Sequence, residues 1–491
     1  MNFIQPSVRL GLQLCGGLLL LPVGLLPAKA QPFCPAQLDQ AIAPIINAPQ
    51  FRRAHWGILV QTGNNQTLYS QNAEEFFTPA SNAKLLTTAA VLTRLGSQFR
   101  IRTSVYQMGH ATLNILRVVG RGDPSLTDLQ LQDLAQQIRD RGITQIDRLV
   151  LDDQYFRGDA INPTWEWEDI QAGYGAVANS LIINQNAIGL TLVPQRLGEP
   201  LQVVWDEPSM ERHWQINNRS KTVAIDQPEF LQVGRTSDPP TLKVEGQLRV
   251  GSAVEPIAIS VPQPTAYFAD RFQQALDAAG IQVKQIQTLD SSDAQAIQSV
   301  RLTQAIEIAA VESAPLAELL IEANQESNNL YAEAALRLLG ANQMSQSSSS
   351  LEAGLDEVEA ALTQIGVNPE NYRLSDGSGL SRRNLVSPTA LVETLQTMQR
   401  SPYASNYQNS LAVAGVSGTL RNRFQGTSVQ GRLQGKTGFL SGAAALSGYL
   451  QPPHYPLVTF SIMVNQFDLP IGEVQEAIDR IVETLQSLQP C

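Results

Sequence analysis

A chain of 491 residues with 43% hydrophobic and 16% charged side chains holds enough apolar material for two or three ordinary cores, which excludes a disordered protein. Its net charge of −11 argues against nucleic acid or an anionic membrane as partner, since both would be repelled; any membrane contact is expected to be peripheral at most. Three cysteines and four scattered histidines make a poor metal site, so no metal and no cofactor is expected.

The first thirty residues combine Arg9, an apolar run from Leu10 to Pro27 and the small-residue pattern Ala28-Lys29-Ala30, which reads as a secretory signal cut before Gln31. An uncleaved anchor is the competing reading, and Gly16, Gly17, Pro22, Gly24 and Pro27 within the run favour cleavage. The mature protein is then exported and extracytoplasmic or periplasmic. Cys15 leaves with the signal, and the remaining Cys34 and Cys491 are expected to form one disulfide tying the chain ends together, against the alternative of two free thiols.

Pro35 to Asn47 has helical spacing, and "HWGILVQ" and "QTLYSQ" flank Gly63-Asn64-Asn65 as a hairpin. A largely apolar helix follows, from Ser81 to its stop at Gly96. From about Phe99 to Val300 the texture changes to short strand-like runs punctuated by Gly, Pro and Asn, expected as a β-rich insertion (99–300) of two small domains. Residues 301–400 return to helical texture, with "SQSSSS" (345–350) as a solvated loop. Then "GRLQGKTG", "AALSGYLQ" and "YPLVTFSIMVNQ" read as three antiparallel strands before an amphipathic helix from about Gly472 to Leu488. One domain is thus expected from the two ends of the chain, 31–98 and 301–491.

Ser81 and Lys84, in "TPASNAKLLTTAA", are three apart, which on a helix puts both side chains on one face about 5–6 Å apart at Cβ. Burial of the apolar helix disfavours a charged ammonium, so Lys84 can lose its proton far below the reference value of ~10.4 and act as a base toward the serine. An ordinary helix cap beside a surface lysine is the competing reading. Scarcity tips the balance: the chain has six lysines, at 29, 84, 221, 243, 284 and 436, and lysine, unlike arginine, can give up its proton. Lys436-Thr437-Gly438 ends a predicted strand, where an extended peptide could pair by β-augmentation and meet the lysine with its terminal carboxylate. Ser327-Asn328-Asn329 precedes the helical "LYAEAALRLLG"; a plain N-cap is its simpler reading, and S-x-N recurs at Ser70-Gln71-Asn72.

S-x-x-K, S-x-N and K-T-G in this order resemble the set found in penicillin-binding proteins and class A β-lactamases. More narrowly, the chain resembles the class C low-molecular-mass penicillin-binding proteins, the D-alanyl-D-alanine carboxypeptidase/endopeptidase family. The resemblance runs through "PASNAKLLTTAA", "GRGDPSLT", "NSLIINQNAIGLTLVP", "ESNNLYAEAALRLLG", "LSDGSGLSRRNLVSP", "GVSGTLRNR" and "GKTGFLSGAAALSGYL", and the long gap from Lys84 to Ser327 fits the insertion of that class. It implies an α+β sandwich, an antiparallel sheet flanked by helices of the penicillin-binding protein/β-lactamase-like type, with a large, mainly β insertion. It also implies a serine-type D-Ala-D-Ala carboxypeptidase, possibly also a DD-endopeptidase, with peptidoglycan peptides as substrate and β-lactams as acylating inhibitors. The roles carried over are Ser81 as nucleophile, Lys84 as base and Ser327 as proton relay to the leaving amine. Asn329 would hold the substrate amide, Lys436, Thr437 and Gly438 its C-terminal end, and the backbone N–H groups of Ser81 and Phe439 the oxyanion. No glutamate motif demands the role of base. Two positions depart from the family pattern: Phe439 stands where a small or hydroxyl residue is usual, which puts substrate preference in doubt, and Arg121 stands where glycine is common. A β-lactamase or esterase on the same scaffold and a catalytically silent wall-binding protein are the rival readings. A Ser-His-Asp protease is disfavoured, because no G-x-S-x-G occurs and His55, His110, His213 and His454 lie in no motif.

Overall fold

In a computed structural model, residues 34–109, 113–289, 305–343 and 349–491 are described; the signal at 1–30 and residues 345–348 of the serine run lie outside them. The two ends of the chain meet in one six-stranded sheet. Its order is Ala412–Val413, Leu433–Leu440, Ala443–Leu450, Val458–Asn465, His55–Thr62, Thr67–Gln71. All neighbours are antiparallel, with His55 opposite Asn465 and Thr62 opposite Val458 at the join between early and late chain. Ala443–Leu450 and Val458–Asn465 are buried at every position, because helices cover both faces. Period-2 alternation divides their side chains. Phe460, Ile462 and Val464 face the helices Leu38–Ile46 and Ile471–Gln486, whereas Met463, Ala445 and Tyr449 pack with Leu85, Leu336 and Leu391 of the opposite layer.

The last helix buries Val474, Ala477, Ile478, Ile481, Val482 and Leu485, the three- and four-residue spacing of a helix with one apolar stripe. It lies beside the first helix, and a disulfide joins Cys34 to Cys491 with Cα atoms 5.4 Å apart. On the other face, Ala83–Leu95 is buried at ten successive residues from Ala83 to Leu92. It is the central helix of its layer, surrounded by Leu316–Asn324, Asn329–Gln343, Ser350–Gln364 and Pro388–Gln399.

The intervening chain builds a five-stranded mixed sheet in the order Ile286–Leu289, Arg148–Asp152, Ile115–Val119, Arg102–Met108, Ile306–Glu312, against which the helices Asp128–Asp140 and Pro264–Ala278 pack. Two smaller sheets, of three and four strands, lie between residues 187 and 260. Their buried side chains join those of the larger sheet in one apolar cluster, from Val105 through Trp205 and Leu242 to Val311, so the expected pair of small domains shares a core. The expected boundary at 300 also moves. Ile306–Glu312 pairs antiparallel with Arg102–Met108 and buries Ile308 and Val311, so the chain returns to the terminal domain only after Glu312. Helix-forming Ala309, Ala310, Glu307 and Glu312 give this strand its helical texture, and tertiary pairing overrides them.

Candidate active site

Ser81 lies in a single 3-10 turn, Ala80–Asn82, that runs directly into the helix Ala83–Leu95. No side chain caps this junction, so the serine is not held as an N-cap. Ala80 takes a left-handed φ of 48°, a costly conformation for a residue with a Cβ, of the kind that persists where the surroundings over-determine it. The surroundings are two glycines. Gly379, itself at φ 84°, leaves no room for a Cβ, which would sit 1.8 Å from the Ala80 carbonyl oxygen. A Cβ on Gly438 would sit 2.9 Å from the Ser81 nitrogen and from the Pro79 carbonyl oxygen. The K-T-G strand is therefore pressed against the backbone of Ser81 as only glycine permits.

One helical turn on, Lys84 is fully buried. Its Nζ lies 3.0 Å from Ser81 Oγ, 2.6 Å from Asn329 Oδ1 and 2.7 Å from the Ser378 carbonyl oxygen. Burial lowers its pKa to about 7, against the opposing pull of Asp376 and Glu333. The Asn329 amide orientation is fixed independently, because its Nδ2 donates to the Tyr174 carbonyl at 2.9 Å and only nitrogen can do so. Asn329 Oδ1 and Ser378 O are then pure acceptors. A neutral amine has two N–H groups and one lone pair; those two oxygens take both N–H groups, and the lone pair is left facing the Ser81 hydroxyl.

A second serine–lysine pair stands beside the first. Lys436, also fully buried, donates to Ser327 Oγ at 2.8 Å and to the Thr437 carbonyl at 2.9 Å. Burial first, and the nearby charge of Lys84 second, hold its pKa well below the usual lysine value. Ser327 has φ 59°. It does not cap the helix Asn329–Gln343; Asn328 does, its Oδ1 accepting from Leu330 N at 3.1 Å and Tyr331 N at 3.4 Å. That leaves Ser327 to Lys436 and Asn329 to Lys84.

The strand Leu433–Leu440 pairs along its whole length with Ala443–Leu450. On its other side Ala412–Val413 covers only Gln434 and Gly435, so among the described residues no strand covers Lys436 to Leu440. This open edge borders a cleft of about 2010 Å³ that Ser81, Ser327, Asn329, Thr437, Gly438 and Phe439 also line. Thr437 Oγ1 lies 2.7 Å from Thr419 Oγ1, and Phe439 is 48% exposed. Arg121 lies within the insertion, where it donates to the Arg102 carbonyl at 2.6 Å and Ser104 Oγ at 3.1 Å.

Several residues of the site are not legible as motifs. Glu333 is buried one turn beyond Asn329; its Oε1 accepts the N–H groups of Gly377 and Ser378, both at 2.8 Å, and so holds the carbonyl that Lys84 uses. Its Oε2 has no hydrogen-bond partner among the described residues. Burial, with the neighbouring Asp376, raises its pKa to about 7. Asp376 accepts from Gly379 N, Ser381 N, Asn384 Nδ2 and Trp165 Nε1 at 2.6–2.9 Å, which folds "SDGSGLS" into a tight turn under Lys84. Asn329 and Glu333 at i and i+4 share a helix face, a spacing that could have flagged the glutamate. Tyr174 carries no local signal.

A serine with a buried lysine one turn on, a second serine–lysine pair and a K-T-G strand edge, set in a helix-covered antiparallel sheet, define a serine peptidase of the penicillin-binding class. Residues 38–487 match the model of the D-Ala-D-Ala carboxypeptidase 3 (S13) family, and the chain belongs to that family. It is 32% identical over 460 residues to the D-alanyl-D-alanine carboxypeptidase of Actinomadura sp., covering 90% of this chain and 84% of that protein. It is 26% identical over 470 residues to the penicillin-sensitive carboxypeptidase A of Dictyostelium discoideum, covering 87% and 86% respectively. The solved structure of penicillin-binding protein 4 from Haemophilus influenzae superposes with a TM-score of 0.77 over 92% of this chain and 98% of that one, at 23% identity, and shares its fold.

Proposed function

We propose that the protein releases the C-terminal D-alanine of peptidoglycan stem peptides through an acyl-enzyme on Ser81, and that β-lactams acylate the same serine. One observation carries the reading: the Lys84 lone pair faces the Ser81 hydroxyl while both its N–H groups are held by oxygens. An exported, extracytoplasmic enzyme fits such a substrate and the Cys34–Cys491 disulfide.

The substrate's extended tail adds to the open edge from Lys436 to Leu440 as one more strand. Its terminal carboxylate meets Thr437 and Lys436, whose proton affinity a bound anion restores. Asn329 Nδ2 turns from the Tyr174 carbonyl to the substrate amide. Ser81 Oγ attacks the scissile carbonyl carbon as its proton passes to Lys84 Nζ. The backbone N–H groups of Ser81 and Phe439 receive the charge that develops on the carbonyl oxygen. The C–N bond then breaks, and the departing amine takes a proton from Ser327 Oγ, held in place by Lys436; the proton that Lys84 took from Ser81 replenishes Ser327, which leaves Lys84 neutral again. Water, activated by Lys84, releases the acyl group.

The test incubates the purified protein with a disaccharide pentapeptide and with a cross-linked dimer, and follows the products by mass spectrometry. Loss of one D-alanine from the pentapeptide, abolished in S81A, is the expected result, and cleavage of the dimer would add endopeptidase activity. Unchanged release in S81A would remove Ser81 from its role. Rapid turnover of a labelled penicillin with both peptides untouched would instead make the protein a β-lactamase.

A further inference from the structure

Three successive non-glycine residues of the insertion, Asn184, Gln185 and Asn186, have left-handed φ values of 48°, 57° and 49°. Such a run is costly for L-residues, and asparagine tolerates it better than glutamine. The two asparagines anchor the turn. Asn184 Nδ2 donates to Asp128 Oδ2 at 2.9 Å, and the buried Asn186 donates from Nδ2 to the Val177 carbonyl at 2.9 Å and to Asn179 Oδ1 at 2.8 Å. Gln185, between them, makes no side-chain bond to the insertion among the described residues. Its Oε1 accepts from Asn328 Nδ2 at 2.7 Å, across to the centre of the S-x-N motif.

That contact has a defined polarity. Asn328 Oδ1 is committed to the first N–H groups of the helix, so its Nδ2 must face Gln185, and residue 185 must present an acceptor. Asn328 sits between Ser327 and Asn329, and Ser327 is itself held at φ 59°. A second bond to the insertion, Asn329 Nδ2 to the Tyr174 carbonyl at 2.9 Å, grips the next residue of the same motif.

We propose that the insertion completes the catalytic centre: Gln185, projected by a left-handed turn, is a positioning residue that holds Asn328 and thereby aims Ser327 at the leaving amine. The proposal rests on the acyl-enzyme reading above. It adds that an element far away in sequence, whose Gln185 borders the same cleft, sets the turnover rate through Asn328.

The test compares Q185M, which keeps the shape and loses the acceptor, with Q185E, which keeps an acceptor oxygen. Concentrations are normalised by titrating Ser81 with a labelled penicillin, so that a folding loss does not enter the rate. Q185M is expected to lower kcat for pentapeptide cleavage roughly ten- to a hundredfold, as a small misplacement of a reacting group does, with KM within about twofold; Q185E restores kcat to within about threefold of wild type. Wild-type kcat in Q185M overturns the proposal, as does a Q185E no faster than Q185M, which would assign the loss to packing. An inactive wild-type protein would instead remove the peptidase reading itself.

Discussion

Replacing Lys84 by Met removes a buried amine whose protonation differs between the folded and unfolded chain. Folded, its pKa is about 7; unfolded, it returns to the ordinary ~10.4. Between these values the unfolded chain binds the extra proton, so wild-type stability rises with pH there, and below pH 7 the penalty for burying Lys84 is complete, at about 5 kcal/mol. K84M escapes that penalty but leaves Asn329 Oδ1 and Ser378 O without their donor, a loss of about 1–3 kcal/mol each. The offset fixes the sign of the net change at any one pH poorly, yet it does not vary with pH. The difference in unfolding free energy, K84M minus wild type, should therefore be nearly flat from pH 6 to 7 and fall by about 2 kcal/mol between pH 7 and 9. Urea titrations of both proteins at pH 6, 7 and 9, with the disulfide intact, measure it directly, and groups that do not interact with Lys84 cancel. A difference equal at pH 7 and 9 would mean that Lys84 is an ordinary ammonium, and the lone-pair account of Ser81 would fall with it.

The same pKa sets the rate of acylation by a fluorescent penicillin: below pH 7 the rate should fall about tenfold per unit, and above it level off, whereas a rise continuing past pH 9 would refute a base with a pKa near 7. K84R, which cannot shed its proton, should lose acylation by about a thousandfold or more and recover none of it at pH 9. In G438A the new methyl would meet Ser81 N and Pro79 O at 2.9 Å; the strand must lift off the serine, and kcat should fall about a hundredfold or more through the oxyanion site, which steady-state D-alanine release reads. C491S opens a covalent loop spanning 457 residues and should cost about 2–5 kcal/mol in urea unfolding while leaving kcat within about twofold, since the bridge lies on the sheet face away from Ser81.

How much of this was legible in sequence depended on the range of the interaction. Ser81 and Lys84 are one turn apart, and their chemistry follows from local spacing and from the apolar run around them. The terminal hairpin and strands were legible because each carries its own periodicity and turn residues, and the resemblance supplied the roles of Ser327, Asn329 and Lys436. Ile306–Glu312 was misread because its alanines and glutamates suit a helix equally well, and only the neighbouring strand Arg102–Met108 decides between the two. Glu333 was missed because a buried carboxylate is indistinguishable, in a sequence, from one on the polar face of the same helix. Tyr174 and Gln185 reach the site from more than 140 residues away, and nothing near them in the chain announces it.

The two buried lysines are electrostatically coupled. Burial and the charge of Lys84 both lower the proton affinity of Lys436, which disfavours two ammonium charges together. In the proposed mechanism, a carboxylate arriving beside Lys436 reverses the balance there and draws a proton onto that lysine. On the proposed mechanism, a peptide that lacks the terminal carboxylate loses a binding contact and also the anion that charges Lys436. On that reading the anionic end of the substrate sets the charge of Lys436, which donates to Ser327 Oγ, and so ties recognition to the proton relay at the leaving amine.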